Sequence, residues 1–202
     1  MSLNVEFIYD FGSPNSYLVD RALRGIETRT GVKFTYVPVL LGGVFKATGN
    51  LPPFLVHKDV KPKLRYELLE DQRFMEKHGI DKFVYNPNFP VNSLMLMRAA
   101  AAAEMDGTQD AFVQVALKTM WEDGKKMDDP EVFVQALTEG GLDGEKILAS
   151  TQDADVKAHL VANTNAAVER GVFGVPTFFV GDQMFFGKER LDQVEQAIAA
   201  AS

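Results

Sequence analysis

Hydrophobic and polar positions follow two periods along this chain, and the changes between them divide it. Val5 to Phe11 is a run of β-formers broken at Gly12, which predicts a strand ending in a tight turn. From Ser16 to about Thr30 the apolar residues Leu18, Ala22, Leu23 and Ile26 recur at helical spacing. Arg21, Arg24 and Glu27 fall on another face, and Gly31 ends the helix. Lys33 to Leu40 alternates again and predicts a second strand. A strand, helix and strand of these lengths make a right-handed βαβ unit, so the two strands are expected to be parallel.

Leu41 to Pro62 follows neither period. Gly42-Gly43, Gly49-Asn50 and Pro52-Pro53 predict mostly loop, with one short helical turn at Val44 to Ala47. From Lys63 to about Gly171 the pattern is helical. One helix ends near Gly79, one is capped by Asn92 and runs through Ala99–Ala103, and one spans roughly Asp110 to Asp123. Further helices start at Pro130, Asp143 and Asp153. The alanine run predicts two helices in close approach. Alternation returns at Thr177 to Val180 and Gln183 to Phe186, joined by Gly181-Asp182 as a hairpin, and Lys188 to Ala200 reads as a final amphipathic helix. The order βαβ, helical block, ββα is the thioredoxin arrangement, an α/β fold, with a helical insertion. It predicts a thioredoxin-like domain from 1–62 and 172–202 around a helical subdomain at 63–171.

Composition narrows the chemistry. The chain of 202 residues carries 21 basic and 28 acidic side chains, a net charge of −7, which argues against a nucleic-acid surface. No apolar run approaches a membrane span, and the N-terminus, with Glu6 and Asp10, does not read as a signal peptide, so a cytoplasmic location is expected. There are no cysteines, which excludes a redox or nucleophilic thiol of the protein's own. His57, His78 and His159 show no close helical pairing, so neither a metal site nor a histidine-based triad is expected.

Two places invite a ligand. Ser13-Pro14 opens the first helix directly after a strand, and free N–H groups with the positive dipole end make such a place an anion site. Ser13 adds a hydroxyl, either as a plain N-cap or as a ligand group. Val175-Pro176 stands just before the third strand, where a proline can be trans and merely structural; the resemblance to thioredoxin-like proteins, whose equivalent proline is cis, implies a cis bond here and a Val175 backbone open to a peptide-like ligand.

Asp10-Phe11-Gly12-Ser13-Pro14-Asn15-Ser16-Tyr17, Gly43 to Asn50, Phe89-Pro90-Val91-Asn92-Ser93-Leu94 and Gly171 to Phe178 resemble the 2-hydroxychromene-2-carboxylate isomerases. These are relatives of kappa-class glutathione transferases within the DsbA-like branch of the thioredoxin fold, and the resemblance covers essentially the whole chain. It implies that Ser13 replaces the redox cysteine and hydrogen-bonds the sulfur of bound glutathione, lowering the thiol pKa. Pro14, Asn15, Asn50, Val175 and Pro176 are implied to contact the cofactor. Lys63, or its rival Lys58, is implied to meet a glutathione carboxylate. Gly187-Lys188-Glu189-Arg190 is implied to hold the γ-glutamyl end, with Glu189 where aspartate is usual. The bland alternatives are an αL turn for Asn50, a first-turn acid for Glu189, and capping or packing for Ser16. Tyr17, Phe45, Asn92 and Trp121 are candidates for an aromatic substrate pocket, though each also suits plain core. The implied activity is glutathione-dependent cis–trans isomerisation of an aromatic ring-cleavage product in aromatic hydrocarbon catabolism, by a homodimer. A kappa-like transferase or peroxidase, and a non-catalytic binding module, are the rivals.

Overall fold

The alternating segments at the two ends of the chain meet in one sheet. The computed structural model describes residues 3–201, and in it β1 (Val5–Tyr9), β2 (Thr35–Pro38), β3 (Thr177–Val180) and β4 (Gln183–Phe186) lie in the order β2-β1-β3-β4. β1 and β2 are parallel, with Glu6 opposite Thr35, as the βαβ reading requires. β3 is antiparallel to both β1 and β4, with Ile8 opposite Thr177 and Thr177 opposite Phe186.

Ten helices accompany the sheet among the described residues. They are α1 (Pro14–Thr30), α2 (Leu41–Thr48), α3 (Pro53–Val56), α4 (Lys61–His78), α5 (Leu94–Met105), α6 (Gln109–Trp121), α7 (Pro130–Glu139), α8 (Gly144–Ser150), α9 (Ala154–Glu169) and α10 (Leu191–Ala201). A single 3-10 turn, Lys188–Arg190, precedes α10.

The segment from Leu41 to Pro62 is more helical than its glycines and prolines suggest. Gly43 lies inside α2, where a Cβ would come within 3.2 Å of Thr164 Cγ2 on α9. It is small to let two helices approach, not to break one. Pro53 and Pro62 sit in the first turns of α3 and α4, where a missing N–H has no consequence. The break belongs to Gly49, whose φ of +72° ends α2.

The core joins the sheet to the helical stretch. Phe7 and Phe178 stack at 5.6 Å across β1 and β3, and Phe7, Tyr9, Phe11, Leu18, Leu23 and Trp121 are all buried. Each such side chain contributes roughly 1.5–3 kcal/mol by leaving water. Ala99 to Ala103 are buried too, and α5 packs closely on α9 and α6, as expected of an alanine face.

Candidate functional site

Sheet register decides what meets at the site. The β1–β3 pairing, carried two residues past the strand end, brings Asp10 level with Val175. The β3–β4 pairing, carried one residue, brings Pro176 level with Gly187, whose N–H donates to the Pro176 carbonyl at 2.9 Å. Three segments far apart in sequence therefore converge at one end of the sheet.

The first is the turn into α1. Ser13 occupies the N-cap position with extended backbone (φ −97°, ψ 118°), and Pro14 follows in the first turn. The Ser13 hydroxyl makes no capping bond, contrary to the plain N-cap reading. Its backbone is anchored instead: the N–H donates to Asp10 O at 3.1 Å and the carbonyl accepts from Ser16 N at 3.0 Å. Ser13 is 6% exposed, so the uncommitted hydroxyl sits in a recess at the positive end of a 17-residue helix. Asn15 and Pro14 are half-buried beside it, and Ser16 is fully buried, which fits packing.

Asp10 holds this turn from beneath. Its Oδ1 accepts from Gly12 N at 2.7 Å, and its Oδ2 accepts from Leu41 N at 2.8 Å and Ser93 Oγ at 3.0 Å. Burial pushes the Asp10 carboxyl pKa up, while the three donors pull against that rise. Gly12 is small because a Cβ would press within 3.2 Å of Asp10 Oδ1 and 3.4 Å of Ser93 Cβ. Asp10 was not singled out from sequence. The available signal was an acidic residue directly after the apolar run Phe7-Ile8-Tyr9.

The second segment is the loop before β3. The Val175–Pro176 bond is cis, as expected, and so is Phe89–Pro90, which was not. The Val175 N–H and C=O make no hydrogen bond among the described residues. Asn50 reaches this loop from the end of α2, donating its amide to Phe173 O at 2.8 Å. Its φ is not positive, so the αL reading of Asn50 fails; Gly49 takes that role.

The third segment is Gly187 to Arg190. Lys188 is 5% exposed, and its ammonium lies 2.9 Å from Asp71 on α4 and 2.6 Å from Glu189. Burial alone would lower the Lys188 pKa, but hydrogen bonds and charge from Glu189 and Asp71 outweigh it and hold it raised. Lys188 is thus an internal partner and offers a ligand no free ammonium, a correction to its expected contact role. Glu189 and Arg190 are exposed at the same turn. Lys58, between α3 and α4, and Lys63, in the first turn of α4, are both exposed, and neither forms an ion pair among the described residues.

The expected aromatic pocket is redrawn. Trp121 is fully buried and donates its indole N–H to Phe11 O at 2.8 Å, so it braces the turn from within. Tyr17 is 1% exposed, with its hydroxyl on Glu122 at 3.1 Å and the Arg21 guanidinium 4.9 Å above its ring. Both aromatic rings belong to the core: Trp121, the last residue of α6, stacks on Phe83 at 5.9 Å, and Tyr17 packs against the same ring at 5.6 Å. Phe45 is half-buried on α2. Asn92 is exposed and borders a hollow of about 250 Å³ with Met95, Arg98 and Gln152. Its side chain accepts from Leu94 N at 3.0 Å, supporting the start of α5 one residue beyond the expected cap. No helix is long and apolar enough to cross a membrane among the described residues.

The DSBA-like thioredoxin domain model matches residues 4–199. The chain is 30% identical to a 2-hydroxychromene-2-carboxylate isomerase of Pseudomonas putida, over 96% of this chain and 93% of that protein. It is 26% identical to glutathione S-transferase kappa 1 of Caenorhabditis elegans, over 92% and 86%. A solved 2-hydroxychromene-2-carboxylate isomerase superposes with a TM-score of 0.83 at 30% identity, covering 98% of this chain and 95% of that one. The turn without cysteine, the cis-proline loop and these similarities agree: the chain belongs to the DSBA-like thioredoxin domain family and, within it, to the 2-hydroxychromene-2-carboxylate isomerases, a family of isomerase enzymes.

Proposed function

We propose that this enzyme catalyses glutathione-dependent cis–trans isomerisation of an aromatic ring-cleavage product, of the 2-hydroxychromene-2-carboxylate to trans-o-hydroxybenzylidenepyruvate type. One observation carries the reading. The Ser13 hydroxyl and the Val175 backbone, both without internal partners, lie at neighbouring segments beside a helix N-terminus, in a chain with no cysteine. That donor set fits a cysteinyl thiol brought by a peptide.

When bound, glutathione would supply a thiolate nucleophile for reversible conjugate addition to an enone, the chemistry by which a double bond can isomerise with the thiol regenerated. The chain's part is electrostatic and geometric. Ser13 donates its hydroxyl hydrogen to the sulfur, and the α1 N-terminus favours the negative charge. Val175 pairs its N–H and C=O with the cysteinyl backbone, which fixes where the sulfur points. Lys63, with Lys58 as the alternative, takes a carboxylate. Glu189 takes the ammonium, while Gly187 and Arg190 complete that end. Asn50, Pro14 and Asn15 shape the groove between. Phe45 and Asn92 border the space for a small aromatic acid; Tyr17 and Trp121 support it from the core. We place the enzyme in the cytoplasm, where glutathione keeps thiols reduced. We also propose a homodimer, supported by the exposed apolar side chains Leu51, Leu55, Val56, Val60, Leu68 and Leu69.

Product analysis with the ring-opened substrate tests this. Isomerised product with the full amount of free thiol recovered after many turnovers supports the proposal. Stoichiometric conjugate or oxidised glutathione refutes it in favour of a kappa-type transferase or peroxidase. Calorimetry showing no glutathione binding refutes both and favours a binding module.

A further inference from the structure

A chain of four side chains runs from the helical stretch into the site. Tyr85 donates its hydroxyl to Asp71 on α4. Asp71 pairs with the Lys188 ammonium at 2.9 Å, and Lys188 donates to Glu189 Oε1 at 2.6 Å. Asp71 and Lys188 are largely shielded, at 14% and 5% side-chain exposure, whereas Glu189 is 53% exposed. Phe74 lies beneath the ammonium, 5.9 Å from ring centre to Nζ. Of the two acids in the series, only Glu189 is therefore open to solvent.

Its geometry is set by the pairing. Oε1 is held by Lys188, so the carboxylate folds back over Gly187, where an added Cβ would stand 2.9 Å from Oε2. That positions Oε2 over the residue whose N–H binds the Pro176 carbonyl. Asp71, Lys188 and Glu189 together carry one net negative charge, with one oxygen unclaimed. Such a group takes a cation. The γ-glutamyl ammonium is the only cationic group of glutathione.

We infer that Lys188, fixed by Asp71, is a positioning residue that aims Glu189 at the ammonium of the bound thiol peptide. This rests on the glutathione reading given under the proposed function. It makes selectivity for the amine a property of a buried pair that itself touches no ligand. Burial and the Asp71 hydrogen bond raise the Tyr85 pKa, so Tyr85 remains a donor to Asp71 at neutral pH and keeps the far end of the series in place.

The test is the preference for glutathione over its des-amino analogue, in which hydrogen replaces the γ-glutamyl amine, measured by calorimetry. A charge-assisted bond to Glu189 predicts a preference of about tenfold in the native enzyme. The double variant K188M/D71N removes the buried pair together, so no orphan charge is left, and it keeps the same net charge around Glu189. Only orientation is lost, and the preference should fall to near parity, as it should in E189Q, where Lys188 and Asp71 stay paired. A merely structural pair would weaken both ligands alike and leave the ratio untouched. Retention of the preference in either variant overturns the inference. Native enzyme that binds both ligands equally overturns the inference and leaves the glutathione reading standing. Native enzyme that binds neither overturns both.

Discussion

At the scale of single residues, the turn at Ser13 depends on a buried carboxylate. Asp10 receives three donors on two oxygens, from Gly12, Leu41 and Ser93. An amide in its place has one acceptor oxygen and presents its own N–H to a donor. Asp10→Asn is expected to lower stability by about 1–3 kcal/mol in denaturant unfolding, the cost of leaving buried donors unmet. The turn at Ser13 and the strand entry at Pro176 were legible in the sequence because each is set within a few residues. Asp10 was not, because its partners Leu41 and Ser93 lie 31 and 83 positions away. Tyr17 and Trp121 show the same limit. Their size announced large aromatic residues, but only the placement of α6 shows that they face inward.

At the scale of elements, the misreading of residues 41–62 has a specific source. Glycine and proline read as breakers in a sequence pattern, while here they pack α2 against α9 and begin α3 and α4. Gly144 repeats the lesson, since a Cβ there would collide with the backbone carbonyl of Val134 on α7. Gly144→Ala is expected to cost about 1–3 kcal/mol by overpacking the α7–α8 contact, readable as a lowered unfolding midpoint. The C-terminal end of α4 carries a pH-sensitive group. His78 lies 4.4 Å from the Phe74 ring, and its Nε2 is buried without a partner. Burial first, then Lys77 and Arg29, lower its pKa, against an opposing pull from Asp192. A lowered folded-state pKa means that this stability is present above the unfolded value of about 6.5 and is lost as pH falls through the folded value. The melting temperature is therefore expected to drop between about pH 7.5 and about pH 5.5, and to drop less in His78→Leu.

At the scale of the whole molecule, the two-period pattern was enough to read the order of elements, because a strand buried in a sheet and an amphipathic helix leave different signatures. What it could not show is that the β1–β3–β4 register carries Ser13, Val175 and Glu189 to one end of the sheet. That convergence is what supports the proposed reading of a generic anion site as a site for a thiol peptide. Under the proposed function the glutathione sulfur is held there as a thiolate beside Ser13. The most direct test is a pH titration of thiolate ultraviolet absorbance in the glutathione complex of the native enzyme and of Ser13→Ala. The account predicts a thiol pKa well below that of free glutathione in the native complex. In Ser13→Ala it should return upward by about one unit or more, the worth of one charge-assisted hydrogen bond. A native complex that titrates like free glutathione, or an unchanged pKa in Ser13→Ala, would contradict it.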